Sequence, residues 1–183
     1  MSSRVWMAVS CTTLALGVVG AAPAADTRFG IGRPATPEEI SGWDIDVRAD
    51  GQGLPPGRGS VSEGQKIYAE TCAGCHGPSG EGKPADQLVG GLGTLATEKP
   101  VKTVGSYWPY ATTLFDFVRR AMPFNAPQSL APDQVYGVSA YILYLNKIVA
   151  ADTVLDAESL PKIVMPNRDG FSSPDPRPDV KEH

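Results

Sequence analysis

The stretch Ser60-Val61-Ser62-Glu63-Gly64-Gln65-Lys66-Ile67-Tyr68-Ala69-Glu70-Thr71-Cys72-Ala73-Gly74-Cys75-His76 decides how this chain is read. Ser60 with Glu63 three residues on is a capping box, in which the hydroxyl accepts from an opening amide and the carboxylate reaches back to another. Gly64, Ile67, Tyr68 and Thr71 follow at i, i+3, i+4 and i+7, the spacing of one helix face. The helix therefore delivers two thiols and an imidazole together at its C-terminal end.

Cys72-Ala73-Gly74-Cys75-His76 is the spacing of c-type haem attachment. Two thiols three residues apart reach the two vinyl groups of one porphyrin, and the next residue presents an imidazole to the iron from the same side. A thioredoxin-like dithiol uses Cys-x-x-Cys too, but after a strand and before a helix, the reverse of the order here. A structural zinc site needs four ligands. Beyond this motif the chain has only Cys11 and His183 to offer. One covalent haem c is the expected cofactor, held by Cys72, Cys75 and His76.

Two further helical patterns lie downstream. One runs from Thr113 to about Ala121, with Leu114, Phe117, Val118 and Ala121 on one face, Thr113 and Asp116 as its cap and Pro123 as its stop. The other opens at Pro132, a residue suited to a first helical position, and runs to about Val149. Val135, Val138, Tyr141, Ile142, Leu145, Ile148 and Val149 form its broad apolar stripe. No stretch shows sustained strand alternation. The expected fold is all-α, with three main helices around the haem. A loop of about forty residues separates the first two helices, too long for a compact domain unless a non-protein group packs it.

Residues 60–149 are the expected haem domain. Residues 1–24 read as a secretory signal, with Arg4 ahead of an apolar run and Ala22-Pro23-Ala24 before a cleavage at Ala25. Cys11 leaves with it, and the expected location is the periplasm, without stable membrane insertion. Residues 25–59 and 150–183 are Pro- and Gly-rich extensions, read either as arms that pack back on the domain or as arms that dock a partner. The chain has 16 Lys+Arg against 20 Asp+Glu, a balance that argues against a nucleic-acid face.

The second axial ligand has two Met candidates after signal removal. Met122, in Ala121-Met122-Pro123-Phe124, follows a helix that Pro123 stops, which frees its side chain to point inward. Met165, in Val164-Met165-Pro166, lies in the C-terminal arm. Met122 is the expected ligand, with core filling as the other use of a Met. The alternative is an open iron site, which would make the protein a peroxidase-like or ligand-binding haem enzyme. Tyr107, Trp108 and Tyr110 read as pocket filling or as a wall for the haem propionates, and Arg119 and Arg120 as a solvated helix face.

Gly64-x-x-x-Tyr68, the Met-Pro pair and Ala140-Tyr141-Ile142-Leu143 resemble class I cytochrome c. The resemblance implies that the first and last helices cross closely, with Gly64 permitting approach and Tyr141 filling the contact. The family's Gly-Pro-x-Leu haem loop has only approximate counterparts in Pro84 and Leu88, so the carbonyl that holds His76 is not assigned from sequence.

A narrower resemblance covers Ile31-Gly32-Arg33-Pro34-Ala35-Thr36, Trp43-Asp44-Ile45-Asp46-Val47, residues 103–112, residues 121–128 and residues 160–171. These stretches are similar to the cytochrome subunits of sulfite and sulfur dehydrogenases. The resemblance implies an electron-transfer protein or electron-accepting subunit. It would take single electrons from a molybdopterin-containing catalytic subunit and pass them to a downstream cytochrome or oxidase. Larger members carry a second haem domain, whereas this chain has one Cys-x-x-Cys-His. A free shuttle serving any periplasmic dehydrogenase is the remaining alternative.

Overall fold

The computed structural model describes residues 31–172. The chain divides into two compact units at Ala35/Thr36. Of the first unit only residues 31–35 are described, and they form no regular element. Everything that follows concerns the second.

Its elements are α1 (Pro37–Trp43), β1 (Arg58–Ser60), α2 (Val61–Thr71), α3 (Ala73–His76), α4 (Ala111–Ala121), α5 (Pro132–Leu145), β2 (Val154–Asp156) and a 3-10 turn (Leu160–Lys162). This is the mostly helical cytochrome c fold, with α2, α4 and α5 as the main helices. The capping box of α2 forms as the sequence requires, with Ser60 accepting from the Glu63 amide and Glu63 accepting from the Ser60 amide at 2.8 Å. The same device, Thr36 with Glu39, starts α1.

α5 is buried almost all round, from Val135 to Leu143, and so forms the spine of the core. It stops at Leu145, short of the expected Val149, because Asn146 leaves the helix and turns its side chain to the long loop. α4 starts two residues earlier than expected, with Tyr110 at its N-cap and no side-chain cap. The Thr113–Asp116 cap does not form: Asp116 lies inward, engaged elsewhere. Phe115, fully buried, takes the core place expected for Phe117, which is exposed and meets Trp108 edge-on at 5.7 Å.

α2 crosses α5 at glycines. A Cβ on Gly64 would fall on the Gly137 carbonyl and within 2.9 Å of the Val138 amide, both immovable backbone. Gly59 of β1 approaches the same point, its Cβ position lying 2.6 Å from Gly137 Cα. Beside this contact the Tyr68 and Tyr141 rings pack at 5.3 Å, the aromatic filling expected there.

One feature was invisible to the helical reading: a two-stranded antiparallel sheet pairs β1 with β2, Gly59 opposite Leu155. Strands of three residues are too short to show alternation, and their partners are far apart in sequence. Through this sheet and the segments around it, Val47 from one extension and Leu155, Leu160 and Met165 from the other enter the same core as α4 and α5. Among the described residues no helix is long and apolar enough to cross a membrane.

The glycine crossing yields a stability prediction. Gly64→Ala puts a methyl group into backbone that cannot retreat, and should cost about 3 kcal/mol in denaturant unfolding, near the upper end of overpacking costs. Ala69→Gly, on the exposed side of the same helix, should cost about 1 kcal/mol, by helix propensity alone.

Candidate haem site

α2 ends at Thr71, Cys72 serves as its C-cap, and the chain turns once more as α3, which carries Cys75 and His76. Cys72 is half-buried against the core and Cys75 is exposed, and neither is in a disulfide. Burial pushes the Cys72 thiol above its ordinary pKa, against a contact with the Thr71 hydroxyl that pulls it down. Gly77 ends α3 at φ +80°, a left-handed conformation that a glycine adopts without strain. The turn sends the loop back over the motif: the Gly82 amide donates to the His76 carbonyl at 2.8 Å and the Ala85 amide to the Cys75 carbonyl at 3.0 Å.

The loop thereby supplies what the sequence left unassigned. His76 Nδ1 lies 2.7 Å from the Asp86 carbonyl oxygen. A carbonyl only accepts, so Nδ1 carries a proton, which in the neutral ring leaves the lone pair on Nε2, the arrangement of a metal-binding histidine oriented by its other nitrogen. Tyr68 closes the turn from beneath, its hydroxyl donating to the Gly77 carbonyl at 3.0 Å. Burial, helped by Cys72 and Glu81, pushes its pKa to about 12, so it stays a donor across the physiological range.

The rest of the long loop is organised by polar groups as well as by apolar packing. Asn146, just past α5, donates to the Leu88 carbonyl at 3.1 Å and accepts from the Gly90 amide at 3.2 Å. Thr103 donates to the Gly90 carbonyl at 2.6 Å. Leu88, Trp108, Leu130 and Leu145 lie half-buried against the core. The aromatic trio is shared out. Tyr107 holds Asn167 through its carbonyl at 2.7 Å and meets Phe171 edge-on, while Tyr110 pairs with Val164 and carries the Arg168 guanidinium over its ring at 4.5 Å. The C-terminal extension thus packs back on the domain up to Phe171.

The two methionines part company. Met165 is 1% exposed, packed on every side by protein, as core filler. Met122 is the C-cap of α4, extended in backbone and half-buried, with side-chain surface left over for a ligand role. His183 lies outside the described residues, as do Cys11 and the signal segment. Among the described residues no cluster of three or more His, Cys, Asp or Glu could hold a metal ion, so the zinc reading gains nothing. The donor set at the junction of α2 and α3 fits haem c: two thiols free of disulfide at the required spacing, and an imidazole whose other nitrogen is held by a carbonyl.

Sequence reasoning missed Gly137, Asp86 and Asn146. A glycine inside the apolar stripe of α5 is a legible sign of close approach. The Asp86 carbonyl and the Asn146 amide leave no such sign, because any residue has a carbonyl and Asn is common in loops. Of the two residues read as a solvated helix face, Arg120 is exposed while it donates to Asp116, and Arg119 is half-buried and donates to the Ile45 carbonyl.

Comparison with known proteins agrees with the geometry. The cytochrome c family pattern matches residues 61–146. The solved structure of the sulfane dehydrogenase SoxCD from Paracoccus pantotrophus superposes with a TM-score of 0.76 at 48% identity, covering 81% of this chain and 73% of that one. A thiosulfate dehydrogenase from Psychrobacter arcticus is 27% identical over 93 residues, which is 51% of this chain but only 28% of that relative's length. A cytochrome c domain implies covalent haem c. On the strength of the motif, the fold and these matches, the chain belongs to the cytochrome c family.

Proposed function

We propose that this protein carries one haem c on Cys72 and Cys75, with His76 and Met122 as its axial ligands. In this reading it passes single electrons in the periplasm, from a molybdenum-containing sulfite- or sulfur-oxidising subunit to the respiratory chain. The observation that carries the reading is the junction of α2 and α3, where two unpaired thiols stand beside an imidazole whose Nδ1 is already committed to Asp86. The haem iron supplies a one-electron couple when bound. The chain's own residues set its surroundings. Asp86 orients the His76 ring. Met122 offers a neutral thioether, which favours the reduced iron and raises the potential.

The sulfur-oxidising donor is supported by the 48% identity to sulfane dehydrogenase SoxCD and by the match to a thiosulfate dehydrogenase. Export to the periplasm rests on the signal-like residues 1–24.

Three outcomes test the reading. Haem should stay with the denatured protein through acid and organic extraction, and should be released from a Cys72→Ala, Cys75→Ala double variant. Haem released from the wild type would sink the attachment.

Met122→Ala should abolish the weak sulfur-to-iron absorption at the red end of the oxidised spectrum and lower the midpoint potential. Met165→Ala should keep both and instead lose about 3 kcal/mol of stability, as a truncated core methionine does. Exchange of these phenotypes would assign the iron to Met165, and an unaltered spectrum in both would mean that neither methionine binds it, leaving His183, another ligand or an open site.

Mixed with a molybdenum sulfite- or sulfane-oxidising subunit and its substrate, the protein should be reduced at a rate that rises with the concentration of that subunit. Reduction at the same rate by substrate alone, or only by unrelated dehydrogenases, would replace the dedicated partner with a free shuttle.

A further inference from the structure

Residues 45–49 lie along α4 and are tied to it at three points. Arg119 donates to the Ile45 carbonyl at 3.1 Å, the Val47 amide donates to Asp116 at 2.9 Å, and Thr112 donates to the Ala49 carbonyl at 3.2 Å. The order is antiparallel: 45 with 119, 47 with 116, 49 with 112. Extended backbone advances about 6.6 Å in two residues, while a helix rises about 6 Å in four and about 4.5 Å in three. The two repeats stay near register over this short length, so alternate strap residues meet one face of the helix. Val47 also drops its side chain into the core, and Asp116 is only 7% exposed. Its second carboxylate oxygen accepts from Arg120, so both oxygens of a nearly buried carboxylate are engaged.

α4 ends at Ala121, and Met122, its C-cap, lies three residues beyond Arg119. The inner face of the helix is held by Leu114, Phe115 and Val118 against α5. Met122 itself packs on the core only partly. Its amide bonds to the Val118 carbonyl at 3.1 Å, and its side chain is only half-buried. Where its sulfur sits is therefore decided by the pose of the last turn of α4, gripped between the core on one side and the strap on the other.

We propose that Asp116 is a positioning residue for the Met122 thioether: it locks the 45–49 strap along α4 and so fixes the turn that presents the sulfur. The inference rests on Met122 being the axial ligand, as proposed above. Without Asp116 the nearly buried Val47 amide has no acceptor, the strap lifts, and the end of α4 gains freedom. The sulfur then yields more readily to a competing ligand. The His76 side, built on α3 and the Asp86 carbonyl, is untouched.

The test uses the haem-loaded full chain in its oxidised form. Imidazole is titrated in and the loss of the sulfur-to-iron absorption is followed, and oxidation of Met122 by dilute peroxide is timed by peptide mass. Asp116→Ala should take up imidazole at about tenfold lower concentration, the scale set by leaving one buried amide unsatisfied, and should oxidise Met122 faster. Asp116→Asn keeps an acceptor for Val47 and should fall between Asp116→Ala and wild type. Leu155→Ala, a core truncation in β2, should lower thermal stability without altering either readout. Equal imidazole affinity in Asp116→Ala and wild type, with thermal stability lowered as in Leu155→Ala, would overturn the proposal. If Asp116→Ala fails to acquire haem, Asp116→Asn and Arg119→Met decide, and wild-type affinity in both overturns it. Absence of the sulfur-to-iron absorption from the wild type itself removes the ligand assignment and the proposal together. Its presence with unaltered Asp116 variants removes the proposal alone.

Discussion

Where α2 crosses α5 the two meet backbone to backbone, because Gly64 and Gly137 bring no side chains to that point. Dispersion falls away steeply with separation, so two helices that meet this closely gain many contacts from a short overlap. The third glycine, Gly59, lets β1 join at the same point, and β1 in turn pairs with β2. One sterically bare spot therefore fixes the angle of α2, the start of the small sheet and the return path of the C-terminal segment. It also fixes where α2 ends, and with it the position of Cys72, Cys75 and His76.

From that end the site is assembled by the loop as much as by the helices. The chain turns at Gly77, folds back over α3, and gives His76 a carbonyl partner at Asp86. Asn146, freed by the early stop of α5, ties the next part of the loop at Leu88 and Gly90. Each of these bonds satisfies polar backbone that a long connection would otherwise leave without a partner. The loop's length is thus accommodated twice, by an internal hydrogen-bond frame and by Leu88 and Trp108, half-buried against the core.

The extensions are less separate than their Pro- and Gly-rich composition suggests. Leu155, Leu160 and Met165 are buried with the helices, and Tyr110 holds the chain at Val164 and Arg168. The N-terminal side contributes a buried Val47 and a strap fastened by Thr112, Asp116 and Arg119. α1 differs: it buries none of its residues, and Trp43 at its end is 88% exposed.

The contact of Tyr141 with the haem-bearing helix came from the resemblance to class I cytochrome c, whereas local rules were enough to place the haem motif, the α2 capping box and the three main helices. Each rests on neighbours within a few residues, where spacing in sequence is spacing in space. The exceptions were equally physical. Asp116 read as a helix cap because Thr113 stands three residues before it, yet a carboxylate facing inward satisfies a buried amide from residue 47 instead. Phe115 and Phe117 compete for one core place, and the helix rotation that chooses Phe115 is set by packing on α5. By itself the sequence determined the chemistry of attachment and the fold class, since both are written in short-range patterns. The tertiary structure alone decided which carbonyl orients His76, which methionine is sealed in the core, and what grips α4, because those pairings join residues whose separation along the chain carries no signal until the fold closes.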